Sequence, residues 1–154
     1  MVTLTGLIKT LKTTRSLRNV LAFRLSDEPR HTKHRRLISF WNGARLWLNW
    51  FEYQTVRNMI VEGYKIRQVG DDLVNIEGDQ TNLLGTLEIL NVLQDVTNGT
   101  YDCDCKDKIV LDVGGFQGES AVLFSKMGGK KVLIYEPIQA HQKFIRRNVS
   151  LNSV

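Results

Sequence analysis

Cysteine and proline occupy only two positions each in 154 residues, and no apolar run reaches the length of a membrane span. The two cysteines, Cys103 and Cys105, stand one residue apart. That spacing does not suit an ordinary disulfide, and nothing in the sequence supplies the second half of a zinc site. In Tyr101-Asp-Cys-Asp-Cys-Lys-Asp, period-two alternation instead puts both cysteines on one face of an extended stretch, as small hydrophobes. No metal site is expected. The start, Met1-Val-Thr-Leu-Thr-Gly-Leu-Ile-Lys, breaks its apolar residues with polar ones and contains no signal-peptide core, so a cytoplasmic location is expected. The sequons Asn98-Gly-Thr100 and Asn148-Val-Ser150 are then read as a turn and a helix end.

What is present suffices for one ordinary domain: 42% of residues are apolar. The net charge of +5 is unevenly placed. Ten of the Lys and Arg residues fall at or before Arg45 against two acids, Asp27 and Glu28; after it, eleven basic residues face fourteen acidic ones. A nucleic-acid or membrane-surface partner is compatible with that basic segment, but a solvated charge-rich face is the expected reading.

Three regions follow. Residues 1–36 are basic and Thr/Arg-rich, with weak helical periodicity at Leu4, Leu7, Ile8 and Leu11 and a break at Asp27-Glu-Pro29, and are expected to be poorly ordered. Residues 37–105 read as a helical and hairpin accessory region. Phe40, Ala44, Trp47, Leu48 and Phe51 share one helical stripe, and Trp41, Trp47 and Trp50 all lie nearby. Tyr64–Val69 and Leu73–Ile76, with Gly70-Asp-Asp between them, predict a hairpin. Leu83–Val96 then predicts a helix offering Leu84, Leu87, Leu90 and Val92 for burial. Residues 106–154 begin a ligand-binding domain.

That last region carries the most information. Ile109-Val-Leu is an apolar run that reads as a parallel strand covered on both faces. Asp112, at the strand's end, needs hydrogen-bond donors there, and the amides of the following turn are the expected source. Gly114, Gly115 and Gly118 let the backbone turn tightly, and a helix opening near Gly118 directs its unpaired N–H groups at the same place. Lys131–Tyr135 reads as a second strand, ending at Glu136, where an acidic side chain accepts two hydrogen bonds from a ribose diol. Ile138–Leu151 is the next helix, with Ile138, Ile145 and Val149 on one face. Because Gly114 and Gly115 are adjacent, the spacing departs from the G-x-G-x-x-G of dinucleotide dehydrogenases. An acid at each strand end fits a cationic nucleoside, S-adenosylmethionine, better than a pyrophosphate.

Asp112-Val-Gly-Gly-Phe-Gln-Gly118-Glu-Ser and Tyr135-Glu136-Pro137 resemble the first two motifs of class I methyltransferases, particularly the FkbM-like family, over residues 106–152. The resemblance implies an α/β fold: the first βαβα unit of a Rossmann-like methyltransferase domain, preceded by an α-rich region and a short hairpin. It implies that Asp112, Gly114 and Gly118 surround the methionine end of the cofactor, that Gly115 and Phe116 complete the loop, and that Glu136 holds the ribose. Phe116 stands where the family commonly has Asn. Later strands of the family carry the adenine-reading acid, the catalytic surface and the acceptor pocket. The chain is therefore expected to be an N-terminal, truncated part, inactive alone, leaving an apolar edge at Ile109–Val113 for a complementing C-terminal chain. The expected function is O-methyl transfer to a small-molecule or glycan acceptor, with no catalytic residue assigned. Two alternatives stand beside it: a non-catalytic remnant or subunit acting through partner binding, and a nicotinamide-binding domain.

Overall fold

The computed structural model describes residues 4–25 and 35–154. The chain is mixed α/β, with three small sheets among the described residues. Helices α1 (Leu4–Thr13) and α2 (Leu17–Leu25) precede an antiparallel hairpin, β1 (Arg36–Ser39) and β2 (Arg45–Leu48). Then come α3 (Trp50–Val61), a three-stranded meander of β3 (Lys65–Gln68), β4 (Leu73–Gly78) and β5 (Thr81–Thr86), and α4 (Ile89–Thr97). The final unit is β6 (Ile109–Val113), α5 (Glu119–Lys126), β7 (Lys131–Tyr135) and α6 (Gln139–Asn152), with β6 and β7 parallel. No described helix is long and apolar enough to cross a membrane.

Residues 4–13 and 17–25 form two helices; the break at Asp27-Glu-Pro29 lies outside the described residues. These helices are tied to the rest of the chain by contacts that periodicity does not reveal. Thr10, Thr13 and Thr14 are buried, and the Tyr53 hydroxyl of α3 donates to Thr10 Oγ1 at 3.0 Å. Asn19 Nδ2 donates to the Leu37 carbonyl at 2.7 Å, tying α2 to the hairpin.

The helical stripe read from Phe40 to Phe51 is corrected to a hairpin followed by a helix. Ile38, Phe40, Leu46 and Leu48 face the core at period two, while Trp47 points outward and is 54% exposed. Asn42-Gly43 closes the loop, with Gly43 at φ 92°, a left-handed position that glycine fills without steric cost. The helix starts only at Asn49. Its side chain accepts from the Glu52 amide at 2.9 Å, and the Glu52 carboxylate accepts from the Asn49 amide at 2.8 Å. This reciprocal box satisfies two amides that the first turn leaves open.

The hairpin at 64–76 is present and gains a third strand. Asp79 and Gln80, at φ 45° and 58°, make a two-residue turn into β5, so the predicted helix at Leu83 begins six residues later, at Ile89. Leu83 and Gly85 face inward from β5 and alternate with Leu84. One core joins these parts: Tyr53, Val56, Ile66, Val74, Ile76, Leu87 and Leu90 are nearly or fully buried against the hairpin residues.

The βαβ unit joins this core through the free edge of β5. Three side-chain amides act there as a substitute strand. Asn152 accepts from the Asn82 amide at 2.9 Å and donates to its carbonyl at 2.7 Å; Asn148 does the same with Leu84 at 2.7 and 3.0 Å. Gln117 Oε1 accepts from the Thr86 amide at 2.8 Å, and its Nε2 donates to Thr86 Oγ1 at 2.7 Å. Asn148 Nδ2 also reaches the Gln117 carbonyl at 2.8 Å and is fully buried, so the sequon at this position is internal. The inner face of α6 is therefore Ile145, Asn148 and Asn152; Ile138, predicted there, caps the helix and is 51% exposed.

Asn148→Ala would strand the Leu84 amide and carbonyl and the Gln117 carbonyl. A loss of roughly 2–4 kcal/mol is expected, against about 1 kcal/mol for Asn152→Ala at the more open helix end, both read by urea denaturation.

Candidate functional site

The site forms at the carboxyl ends of β6 and β7. The strands run in register from Ile109 beside Lys131 to Val113 beside Tyr135. The Gly114 amide then donates to the Tyr135 carbonyl at 2.8 Å, which carries the pairing one residue further and holds the turn against the start of Glu136-Pro137. Gly114 lies at φ 82° with open space beside it, and Gly118 lies at φ 89° as the residue that caps α5. A Cβ on Gly118 would come within 3.0 Å of the Ile145 backbone, so this glycine also sets how closely α5 and α6 pack. At Gly115 a Cβ would overlap Ile134 Cγ2 at 2.3 Å, on a β-branched side chain with little freedom to withdraw.

Glu136 and the glycine loop meet directly. The Phe116 amide donates to Glu136 Oε2 at 3.0 Å and the Ile138 amide to Oε1 at 2.8 Å. His141 Nδ1 lies 3.5 Å from Oε1, and the Glu136 side chain is only 6% exposed. The bond from Ile138, then that from Phe116 and the nearby His141, hold the Glu136 carboxyl below the ordinary carboxylate range. Phe116 itself stands at φ 42°, a backbone region that bulky side chains rarely adopt, and its ring meets His141 edge-on at 4.6 Å between centroids.

Asp112 is buried at the end of β6, but its donor is not the turn. The Ser120 hydroxyl, in the first turn of α5, donates to Asp112 Oδ2 at 2.8 Å; Oδ1 has no hydrogen bond among the described residues. The turn amides are taken by other acids: Phe116 by Glu136, and Gln117 by Glu119 Oε2 at 3.2 Å. The expected coverage of β6 on both faces is also corrected. Val110 and Asp112 face inward, whereas Ile109, Leu111 and Val113 are each about two-thirds exposed, together with Tyr135 on β7.

Sequence reasoning had passed over Glu119, Ser120 and Gln117, although all three sit within the motif. The pairing of a buried Asp with a hydroxyl at the next helix start was the available signal for Ser120. For Glu119 there was none, because its burial depends on α4 and the meander packing against α5. Glu119 is 3% exposed, and burial pushes its carboxyl up from an ordinary value near 4.5 to about 7, with Asp112 and Glu136 adding to the rise. Two sulfurs also meet: Cys103 Sγ and Cys105 Sγ lie 3.2 Å apart, on one side of the extended stretch. Among the described residues, no group of His, Cys, Asp or Glu is arranged to hold a metal ion.

A raised carboxyl favours folding while it is protonated in both states, below about pH 4.5, and that contribution is lost as pH rises toward 7. Glu119→Gln removes the effect. The stability of the variant relative to the parent is expected to rise by roughly 2–3 kcal/mol between pH 5 and pH 8, measured by urea midpoints. Against known proteins, the chain matches no family model, no curated protein and no solved structure.

Proposed function

We propose that residues 106–154 form the cofactor-binding part of an S-adenosylmethionine-dependent methyltransferase of FkbM-like, Rossmann-like type, acting on an oxygen of a small-molecule or glycan acceptor. The observation that carries this reading is the bond from the Phe116 amide to Glu136, which brings the acidic end of β7 against the glycine turn after β6. Ligands of parallel α/β sheets bind at that end.

The residues present fit the group. Each Glu136 oxygen accepts one amide and keeps further lone pairs, enough for a ribose diol. Asp112 Oδ1, without a partner among the described residues, suits the ammonium of a methionine moiety. The open space beside Gly114 lets a ligand approach the backbone. Phe116 occupies a left-handed position, and Asn, the family's common residue there, is among the side chains that tolerate it best. S-adenosylmethionine supplies an electrophilic methyl group on a sulfonium. A pyrophosphate fits less well, since the amides it would need are held by Glu136 and Glu119 and it would meet their like charge.

A second reading rests on a different observation. Ile109, Leu111, Val113 and Tyr135 expose a continuous apolar face on a two-stranded sheet, a surface that suits association with a complementing chain.

Saturation-transfer NMR with S-adenosylmethionine tests the first reading. Weak binding in the millimolar range is expected, at least tenfold poorer in Glu136→Ala, with no comparable binding of NAD. Binding indifferent to Glu136→Ala would sink it. For the second, the doubly substituted Leu111→Lys, Val113→Lys protein is expected to keep its circular dichroism spectrum and lose any self- or partner association seen by light scattering; association that survives both changes counts against it.

A further inference from the structure

Helix α1 and the first hairpin gather exposed apolar side chains and cations on one surface. On α1, Thr10 and Thr13 turn inward, so Ile8 and Leu11 emerge on the opposite face, 44% and 52% exposed. Trp41 continues that face. Its Nε1 donates to the Leu11 carbonyl at 3.2 Å, and the Arg15 guanidinium lies over the ring, 4.9 Å from its centroid. The indole is fixed there, with Trp41 56% exposed.

The hairpin extends this surface and charges it. The Arg15 amide donates to the Ser39 carbonyl at 2.7 Å, and Ser39 pairs with Arg45, so the exposed Arg15 and Arg45 flank one residue of β1. Trp47, two residues past Arg45 and therefore on the same face of β2, is 54% exposed. Two arginines thus stand between two tryptophans. Lys12, one helical turn from Ile8, adds an exposed cation to the rim. No acid offsets them. Residues 4–25 and 35–48 contain no Asp or Glu, and Lys12, Arg15 and Arg45 make no ion pair among the described residues.

We propose that this surface docks on an anionic phospholipid bilayer. Ile8, Leu11, Trp41 and Trp47 enter the headgroup region, and Lys12, Arg15 and Arg45 meet the lipid phosphates and carboxylates. Charge complementarity selects an anionic partner, and two observations favour lipid over nucleic acid. Ile8 and Leu11 are aliphatic, whereas bases stack on rings. One face of the Trp41 ring is already covered by Arg15, while its apolar body suits the boundary between headgroups and acyl chains. The contact is peripheral, a helix and hairpin lying on the surface. It uses no residue of the β6–α6 unit and stands or falls independently of the cofactor reading.

The test is co-sedimentation and tryptophan fluorescence of the full chain with two kinds of vesicle, phosphatidylcholine alone and phosphatidylcholine with about a third phosphatidylserine. Trp41, Trp47 and Trp50 are the only tryptophans, so the fluorescence reports this part of the chain. Binding at least about tenfold tighter to the anionic vesicles is expected, weakening with added salt, with blue-shifted emission and quenching by lipids brominated on their acyl chains. The double change Lys12→Glu, Arg45→Glu should lower that affinity at least about tenfold with the circular dichroism spectrum intact. Trp47→Ser, at an exposed position, should lower both the affinity and the bromine quenching. No association of the folded parent with anionic vesicles would overturn the proposal, as would equal affinity for the two vesicles, binding without bromine quenching, or binding untouched by the charge reversals. Tighter binding to a single-stranded oligonucleotide than to anionic vesicles would also overturn it, and would assign the surface to nucleic acid.

Discussion

The fold depends on one arrangement: three side-chain amides laid along the open edge of β5. Gln117, Asn148 and Asn152 come from the loop before α5 and from α6, and they answer the backbone groups of Thr86, Leu84 and Asn82 in turn. An open strand edge inside a protein would leave donors and acceptors unpaired, and a fourth strand would be the ordinary remedy. Here Asn148 and Asn152 supply both a peptide-like donor and acceptor, and Gln117 accepts from the Thr86 amide while donating to its hydroxyl. The ladder also fixes where the glycine loop sits, because Gln117 belongs to that loop and Asn148 is bonded to its carbonyl.

The position of the acids follows from this anchoring. With Gln117 held on β5, α5 starts under the meander, and its first residue, Glu119, is drawn into the interior instead of facing solvent. Asp112, Glu119 and Glu136 then converge on one short loop from three elements. Each is treated differently: Asp112 by a hydroxyl, Glu136 by two amides, and Glu119 by burial that leaves it half-protonated near pH 7.

The two sides of the β6–β7 sheet contrast with this. One face is packed by α5 and α6; the other displays Ile109, Leu111, Val113 and Tyr135. Apolar residues at both inward and outward positions are the pattern of a strand meant for cover on both faces. The sequence announced that pattern, and the structure supplies one cover.

The sequence by itself determined the elements whose cause is local. Gly114, Gly118 and Glu136 sit where turn chemistry and strand ends require, and β6, α5, β7 and α6 stand within a residue or two of the predicted spans. The hairpin at β3 and β4 was legible for the same reason, a turn signal between alternating runs. Only the tertiary structure decided the rest. Phe40, Trp47 and Leu48 fit a helical stripe on paper, and cross-strand pairing of Trp47 with Leu37 and of Leu48 with Arg36 settles the segment as a hairpin. Leu83 and Leu84 fit a helix until Asp79-Gln80 turns the chain back onto β4. The roles of Gln117, Asn148 and Glu119 were likewise invisible, because each depends on a partner 31 to 64 residues away or on burial by elements elsewhere in the chain. Backbone preference acts over a few residues and can be read in order; hydrogen-bond satisfaction and desolvation act through space, and only the assembled fold sets them.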